Sequence, residues 1–188
     1  MVSSMVKRFS GKRWRYFVQD ESRFGRITNT GKSWVPAPLR GIVAKQIVRE
    51  YSYLYMAACV ETGASTSFIL PYLNHKCMEI FLQQMHYDFP DEEIVLQVDG
   101  AACHSTKKLK IPDNIHLIFQ PPYSPELNPM EAIWDYIKEN FFRNRYFESM
   151  DALHDYLCKV INTFQGQKQR IKSIIQYPFI KKVYSNAI

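Results

Sequence analysis

The sequence predicts a single α/β domain, and three observations carry that reading. Three β-type runs follow one another as a meander within residues 14–72. A helix–strand–helix–strand–helix alternation then follows, the order that layers helices against a sheet. The length, 188 residues with 46% hydrophobic side chains, suits one domain with a substantial core.

Residues 1–12 read as a frayed lead-in. Trp14–Asp20 is the first β-type run, and Glu21–Gly25 reads as the turn after it. Residues 26–50 contain Gly31, Pro36, Pro38 and Gly41, which predict a loop or a loose hairpin. Tyr51–Val60 is a second strand, rich in aromatics. Thr62-Gly63 turns the chain, and Ser65–Tyr72 alternates small or polar with apolar residues as a return strand. Met78, Phe81, Leu82 and Met85 recur at spacings of three and four and predict a helix over His75–His86. Pro90 and Asp91 end it, and Asp91-Glu92-Glu93 reads as a solvated turn. Ile94–Asp99 is the fourth strand, Ser105–Leu109 a short helix and Ile115–Phe119 the fifth strand. Over Pro129–Phe142, Met130, Ile133, Trp134, Ile137 and Phe141 share one helical face, so Trp134 reads as core. Ser149–Phe164 is a further helix with the stripe Leu153, Leu157, Val160 and Ile161. The tail beyond Gly166 is basic and partly helical.

Composition narrows the function classes. No apolar run reaches the length of a membrane span. The N-terminus MVSSMVKRFSGKRWR lacks the apolar stretch of a secretory signal. Cys59, Cys77, Cys103 and Cys158 have no metal-ligand or framework spacing, which predicts a reducing, cytoplasmic setting. His75, His86, His116 and His154 show no ligand spacing either. The formal net charge is +6, and it comes from the ends. Residues 1–15 carry five basic residues and residues 156–188 carry six, with no acid in either stretch, whereas residues 16–155 sum to −5. Basic ends around an acidic centre suit a protein that holds a polyanion and places metal ions over it. The same distribution also reads as a solubilising surface.

Three acids at element ends are the candidate chemistry. Asp20 closes the first strand, Asp99 the fourth, and Glu131 lies in the first turn of the helix after the fifth. Open α/β sheets place ligand sites at strand ends, and Mg²⁺ prefers oxygen ligands. Each acid has a plainer reading. Asp20 is a turn-former, with Glu21 as a rival for the same role. Asp99-Gly100 is a common turn pair. Asn128, Pro129 and Glu131 have the spacing of a capping box. Capping leaves Pro121-Pro122-Tyr123-Ser124-Pro125 unexplained.

Asp20 in VQDESRFG, Asp99 in VDGAACHS and Glu131 in PPYSPELNPMEAIW resemble the three acids of the DDE transposases. More narrowly, they resemble the bacterial insertion-sequence branch of the mariner superfamily, over about Trp14 to Phe142. PPYSPELNPME is the most specific block, and the family pattern selects the acid directly after the first strand, Asp20. Cys103 departs from the family, which usually has Asn there.

The resemblance implies a ribonuclease H-like fold, a five-stranded mixed sheet with helices on both faces. It implies two Mg²⁺ or Mn²⁺ ions, Asp20 touching both, with Asp99 and Glu131 each completing one. It implies hydrolysis of double-stranded DNA at transposon ends, then attack of the freed 3′-hydroxyl on target DNA at TA dinucleotides. A homodimer assembled on DNA, helped by the loop over residues 26–50, and a nucleoid-associated bacterial location are further expectations. His104, Lys107, Lys108, Lys110, Arg143 and Arg145 are the candidates for DNA contacts. Residues 1–188 are read as one catalytic domain, core about 13–165 and basic tail 166–188. The N-terminal helix-turn-helix region of full-length relatives is expected to be absent. Two other readings stay open: a ribonuclease H-like nuclease without strand transfer, and an inactive DNA-binding remnant, against which the three retained acids argue.

Overall fold

The computed structural model describes residues 9, 11–32, 34–100, 109–121, 124–178 and 180. Five strands form one mixed sheet: β1 (Trp14–Ile27), β2 (Ile47–Cys59), β3 (Ser65–Leu70), β4 (Glu93–Val98) and β5 (Ile115–Phe119), in the order β3-β2-β1-β4-β5. β1–β2 and β2–β3 pair antiparallel, and β1–β4 and β4–β5 pair parallel. The helices are α1 (His75–Asp88), α2 (Met130–Ile137), α3 (Met150–Gln165) and α4 (Lys168–Ile175). A 3₁₀ turn over Pro125–Leu127 precedes α2, and a π-helical turn over Lys138–Phe142 extends it.

The period-two alternation of the strands divides the core into two layers. Tyr16, Val18 and Phe24 of β1, Leu54, Met56 and Ala58 of β2, and Val95 of β4 pack against α2, α3 and α4. Phe17, Tyr55, Ala57, Ile94, Leu96 and Val98 face the opposite way, onto Met78, Phe81, Leu82 and Met85 of α1. Helices therefore cover both faces, which is why β4 has no exposed position at all. Asn74 and Ser149 cap α1 and α3 by accepting from Cys77 N–H and Ala152 N–H.

Several boundaries differ from those expected. β1 does not stop at Asp20. Glu21–Gly25 pair with Tyr51–Tyr55 of β2, so the expected turn is strand and Asp20 lies in its middle. The alternation continues through buried Ser22 and Phe24. Gly25 is not a turn residue: a Cβ there would lie 2.4 Å from the Glu50 carbonyl oxygen, so glycine permits the close approach of β2. β2 accordingly begins at Ile47, four residues earlier than expected. Glu93 is not solvated. It opens β4, buried, bonded to Lys12 at 2.7 Å and to His116 at 2.8 Å. The expected short helix over Ser105–Leu109 lies outside the described residues except for Leu109, which is buried but not helical. Among the described residues of 28–46 there is no strand, and Trp34 and Ile42 are almost fully exposed there. The base of this segment is fixed: Asn144 accepts from Gly31 N–H at 2.9 Å and donates to Gly31 O at 3.0 Å. No helix among the described residues is long and apolar enough to cross a membrane.

Candidate active site

The parallel pairing of β1 with β4 ends at Val18 opposite Gln97. Asp20 and Asp99 each stand two residues further on. The strand period therefore brings both acids to adjacent positions at one end of the sheet, on the face covered by α2. Beyond this point β1 runs on paired with β2.

Asp20 is buried, 8% exposed, and Trp134 Nε1–H of α2 donates to its Oδ2 at 2.9 Å. Glu131 is one helical turn before Trp134, on the exposed first turn of the same helix. Burial pushes the Asp20 carboxyl up to about 7. The Trp134 hydrogen bond opposes this, the Glu21 charge adds to it, a backbone hydrogen bond at Glu21 opposes it, and the Glu131 charge adds to it. Desolvation is thus the first cause, and like-charge repulsion from neighbouring acids comes after it.

The chemistry of these donors fits a divalent cation. Asp20 is a carboxylate in a dry position with acids for neighbours, and among the described residues no Lys, Arg or His forms an ion pair with it. A hard cation is the kind of partner such an oxygen donor would accept. The carboxylates are not drawn into a finished cage: among the described residues no group of three His, Cys, Asp or Glu side chains is close enough to hold an ion.

Glu131 does not close a capping box among the described residues. Asn128 Oδ1 instead accepts from Met130 N–H at 3.1 Å, and the Glu131 side chain stands exposed. The helix start is therefore capped without the Glu131 carboxylate.

Of the DNA-contact candidates, His104, Lys107 and Lys108 lie outside the described residues. Lys110 is exposed, its backbone N–H bonded to Glu79. Arg143 and Arg145 follow the π turn, beyond the far end of the helix that Glu131 opens. Arg143 pairs with Glu139 and reaches Lys32 O. Arg145 lies over the Tyr156 ring at 4.2 Å and donates to Phe141 O. Both are exposed and also hold the end of α2 in place.

Two buried hydrogen-bonding side chains beside these acids were missed in the sequence. Trp134 sits in an apolar helical stripe, and nothing local announces a partner 114 residues away. Gln97 did carry a signal. It is the one polar residue in IVLQV, and in a strand covered on both faces a polar side chain must find buried partners. It does: Tyr16 Oη–H donates to its Oε1, and its Nε2 donates to Leu127 O at 3.0 Å.

The family described as DDE superfamily endonuclease matches residues 15–154. The uncharacterized protein y4pE/y4sA of Sinorhizobium fredii is 37% identical over 125 residues, 66% of this chain and 93% of that protein. Among solved structures, the mariner Mos1 paired-end complex with Mg superposes with a TM-score of 0.63 at 13% identity, over all of this chain and 60% of the other. The Mos1 paired-end complex with left transposon end gives 0.57 at 13% identity, over 93% of this chain and 60% of that one. This chain thus spans about 60% of the length of those Mos1 chains. At that identity the likeness is one of fold, and it bears out the ribonuclease H-like expectation.

Proposed function

This chain belongs to the DDE superfamily endonuclease family, and from that premise we propose that it hydrolyses DNA phosphodiesters with divalent metal ions at Asp20, Asp99 and Glu131. The proposed DNA is the end of a mobile element of the mariner type, and the proposed second step joins the freed 3′-hydroxyl to target DNA. The observation that carries this reading is Asp20: a buried carboxyl raised to about 7, beside the register position of Asp99 and within the field of Glu131.

The three carboxylates would hold Mg²⁺ or Mn²⁺. When bound, such ions lower the pKa of an attacking water or hydroxyl and offset the charge that builds on phosphorus. The chain's own part is to aim and ionise the ligands. Trp134 fixes Oδ2 of Asp20 and, through its hydrogen bond, favours the charged form. Burial raises the Asp20 carboxyl to about 7, so a cation held there would displace its proton and would bind more tightly as pH rises. The low-polarity surroundings that raise Asp20 also strengthen its attraction for a cation.

The exposed apolar side chains of Trp34, Leu39 and Ile42 support a contact between two copies on DNA. Arg143, Arg145 and the basic ends support phosphate contacts, which position DNA without reading its sequence. The test is incubation with a precut 3′-OH end and a supercoiled TA-containing plasmid, in Mn²⁺ and in EDTA. Metal-dependent joining is expected. Nicking without joining would leave a nuclease that does not transfer strands. Neither activity, with DNA bound, would leave a DNA-binding remnant.

A further inference from the structure

The three acids stand on or beside three separate elements, and one buried side chain on β4 bonds both β1 and the 3₁₀ turn that leads into α2. Gln97 lies on β4 two residues before Asp99 and is 8% exposed. It accepts from the hydroxyl of Tyr16, on β1 four residues before Asp20. It donates at 3.0 Å to the carbonyl of Leu127, four residues before Glu131. We propose that Gln97 is a positioning residue. Its carboxamide sets the height of the α2 start above the sheet, and so the placement of Glu131 and Trp134 against Asp20 and Asp99. The inference rests on the reading of these acids as the site.

The apolar contacts beneath α2, through Met130, Ile133 and Ile137, are non-directional and allow the helix to slide. A hydrogen bond is directional and weakens steeply when misaligned. The Leu127 carbonyl belongs to the 3₁₀ turn closed by Leu127 N–H to Ser124 O at 3.1 Å, and the next residue, Asn128, caps α2. A fix at Leu127 is therefore passed directly to the first helical turn, where Glu131 sits. Only a carboxamide serves here. It needs an acceptor for Tyr16 and a donor for Leu127, and it adds no charge beside Asp20 and Asp99. Glutamate would present a lone pair to the carbonyl, and leucine would satisfy neither partner.

The test uses Gln97→Met, which keeps the length and loses both bonds, and Tyr16→Phe, which loses one. The first readout needs no metal: the Trp134 indole N–H cross-peak, assigned with Trp134→Phe, reports the hydrogen bond to Asp20. The second is Mn²⁺ titration by quenching of Trp134 fluorescence in a Trp14→Phe, Trp34→Phe background. In Gln97→Met the indole signal is expected to move and half-saturating Mn²⁺ to rise on the order of ten-fold, the usual effect of losing an outer-shell partner. Tyr16→Phe is expected to shift both the same way and less. A lower melting temperature with both readouts unmoved would overturn the proposal, since it would make Gln97 a packing residue only. If Gln97→Met does not fold, Tyr16→Phe decides by the same two readouts. If the wild type shows no Mn²⁺ quenching, the metal reading falls, and the indole signal alone decides the role of Gln97.

Discussion

Replacing Asp20 by Asn should stabilise the metal-free protein, and the gain should grow with pH. The carboxyl stands at 3.8 in its ordinary state and at about 7 in the fold. Between those values the folded state holds a proton that the unfolded state has released. Stability contributed by this group is complete below about pH 4 and is lost as pH climbs through 7. At 1.36 kcal/mol for each pH unit, the loss is about 4 kcal/mol by pH 8. Asn keeps the shape and still accepts from Trp134 Nε1–H, so the variant escapes the loss. Urea unfolding of both proteins in EDTA from pH 4.5 to 8 measures it. The difference between them matters more than either curve, because Glu93, held below its usual range by Lys12 and His116, imposes an opposite slope on both. The gap should open from near zero to several kcal/mol in favour of the variant. Mn²⁺ at a hundred times its dissociation constant should return about 2.7 kcal/mol to the wild type alone. A gap that stays within about 0.5 kcal/mol across this range, the scale of an ordinary surface substitution, would refute the reasoning.

Glu131→Gln should abolish metal-dependent cleavage while leaving the melting midpoint unchanged, since its side chain is exposed and Asn128 caps the helix. Cleavage at the wild-type rate would remove Glu131 from the site. Trp134→Phe removes a hydrogen bond that lowers the Asp20 pKa, so the acid limb of the cleavage–pH profile should move to higher pH. An unmoved limb in a folded variant would mean that the indole only packs. Arg143→Gln and Arg145→Gln should each lower the log–log salt dependence of DNA binding by about 1, uniformly across sequences. Fluorescence anisotropy at several salt concentrations reads this, and an unchanged slope would assign these side chains to Glu139 and Tyr156 only. Gly63→Ala should destabilise the β2–β3 turn against α4, because φ is +71° and the new Cβ would lie 2.0 Å from Lys168 O.

The order of elements was legible because apolar spacing switches cleanly between periods of two and of three to four. β5 matches the expected Ile115–Phe119, and the apolar stripes of α1 and α3 are buried as read. What local pattern could not give was pairing. Glu21-Ser22 followed by Gly25 looks like a turn until β2 lies alongside and shows that Gly25 admits the Glu50 carbonyl. Glu93 looks like part of a hydrated acidic turn until Lys12 and His116 arrive from 81 and 23 residues away. The motifs singled out the three acids, whereas the buried polar side chains packed around them went unread. Trp134 and Gln97 disclose their polar function only through partners on other strands. The raised Asp20 pKa comes chiefly from burial, a property of the finished fold that no local pattern displays.

The divided pairing of β1 has a consequence for how the molecule is made. Its antiparallel half joins β2, the next strand along the chain, and β2 joins β3 across a short turn. Its parallel half joins β4, and the Tyr16–Gln97 bond closes a span of 81 residues. Local contacts form early and long-range pairings late. Asp20 is thus seated in a meander that assembles from neighbours, while Asp99 and Glu131 reach it only when the parallel strands dock. A nascent or partly unfolded chain carries the acids but not the juxtaposition. The approach of Asp99 and Glu131 to Asp20 therefore depends on the pairing that is most distant in sequence.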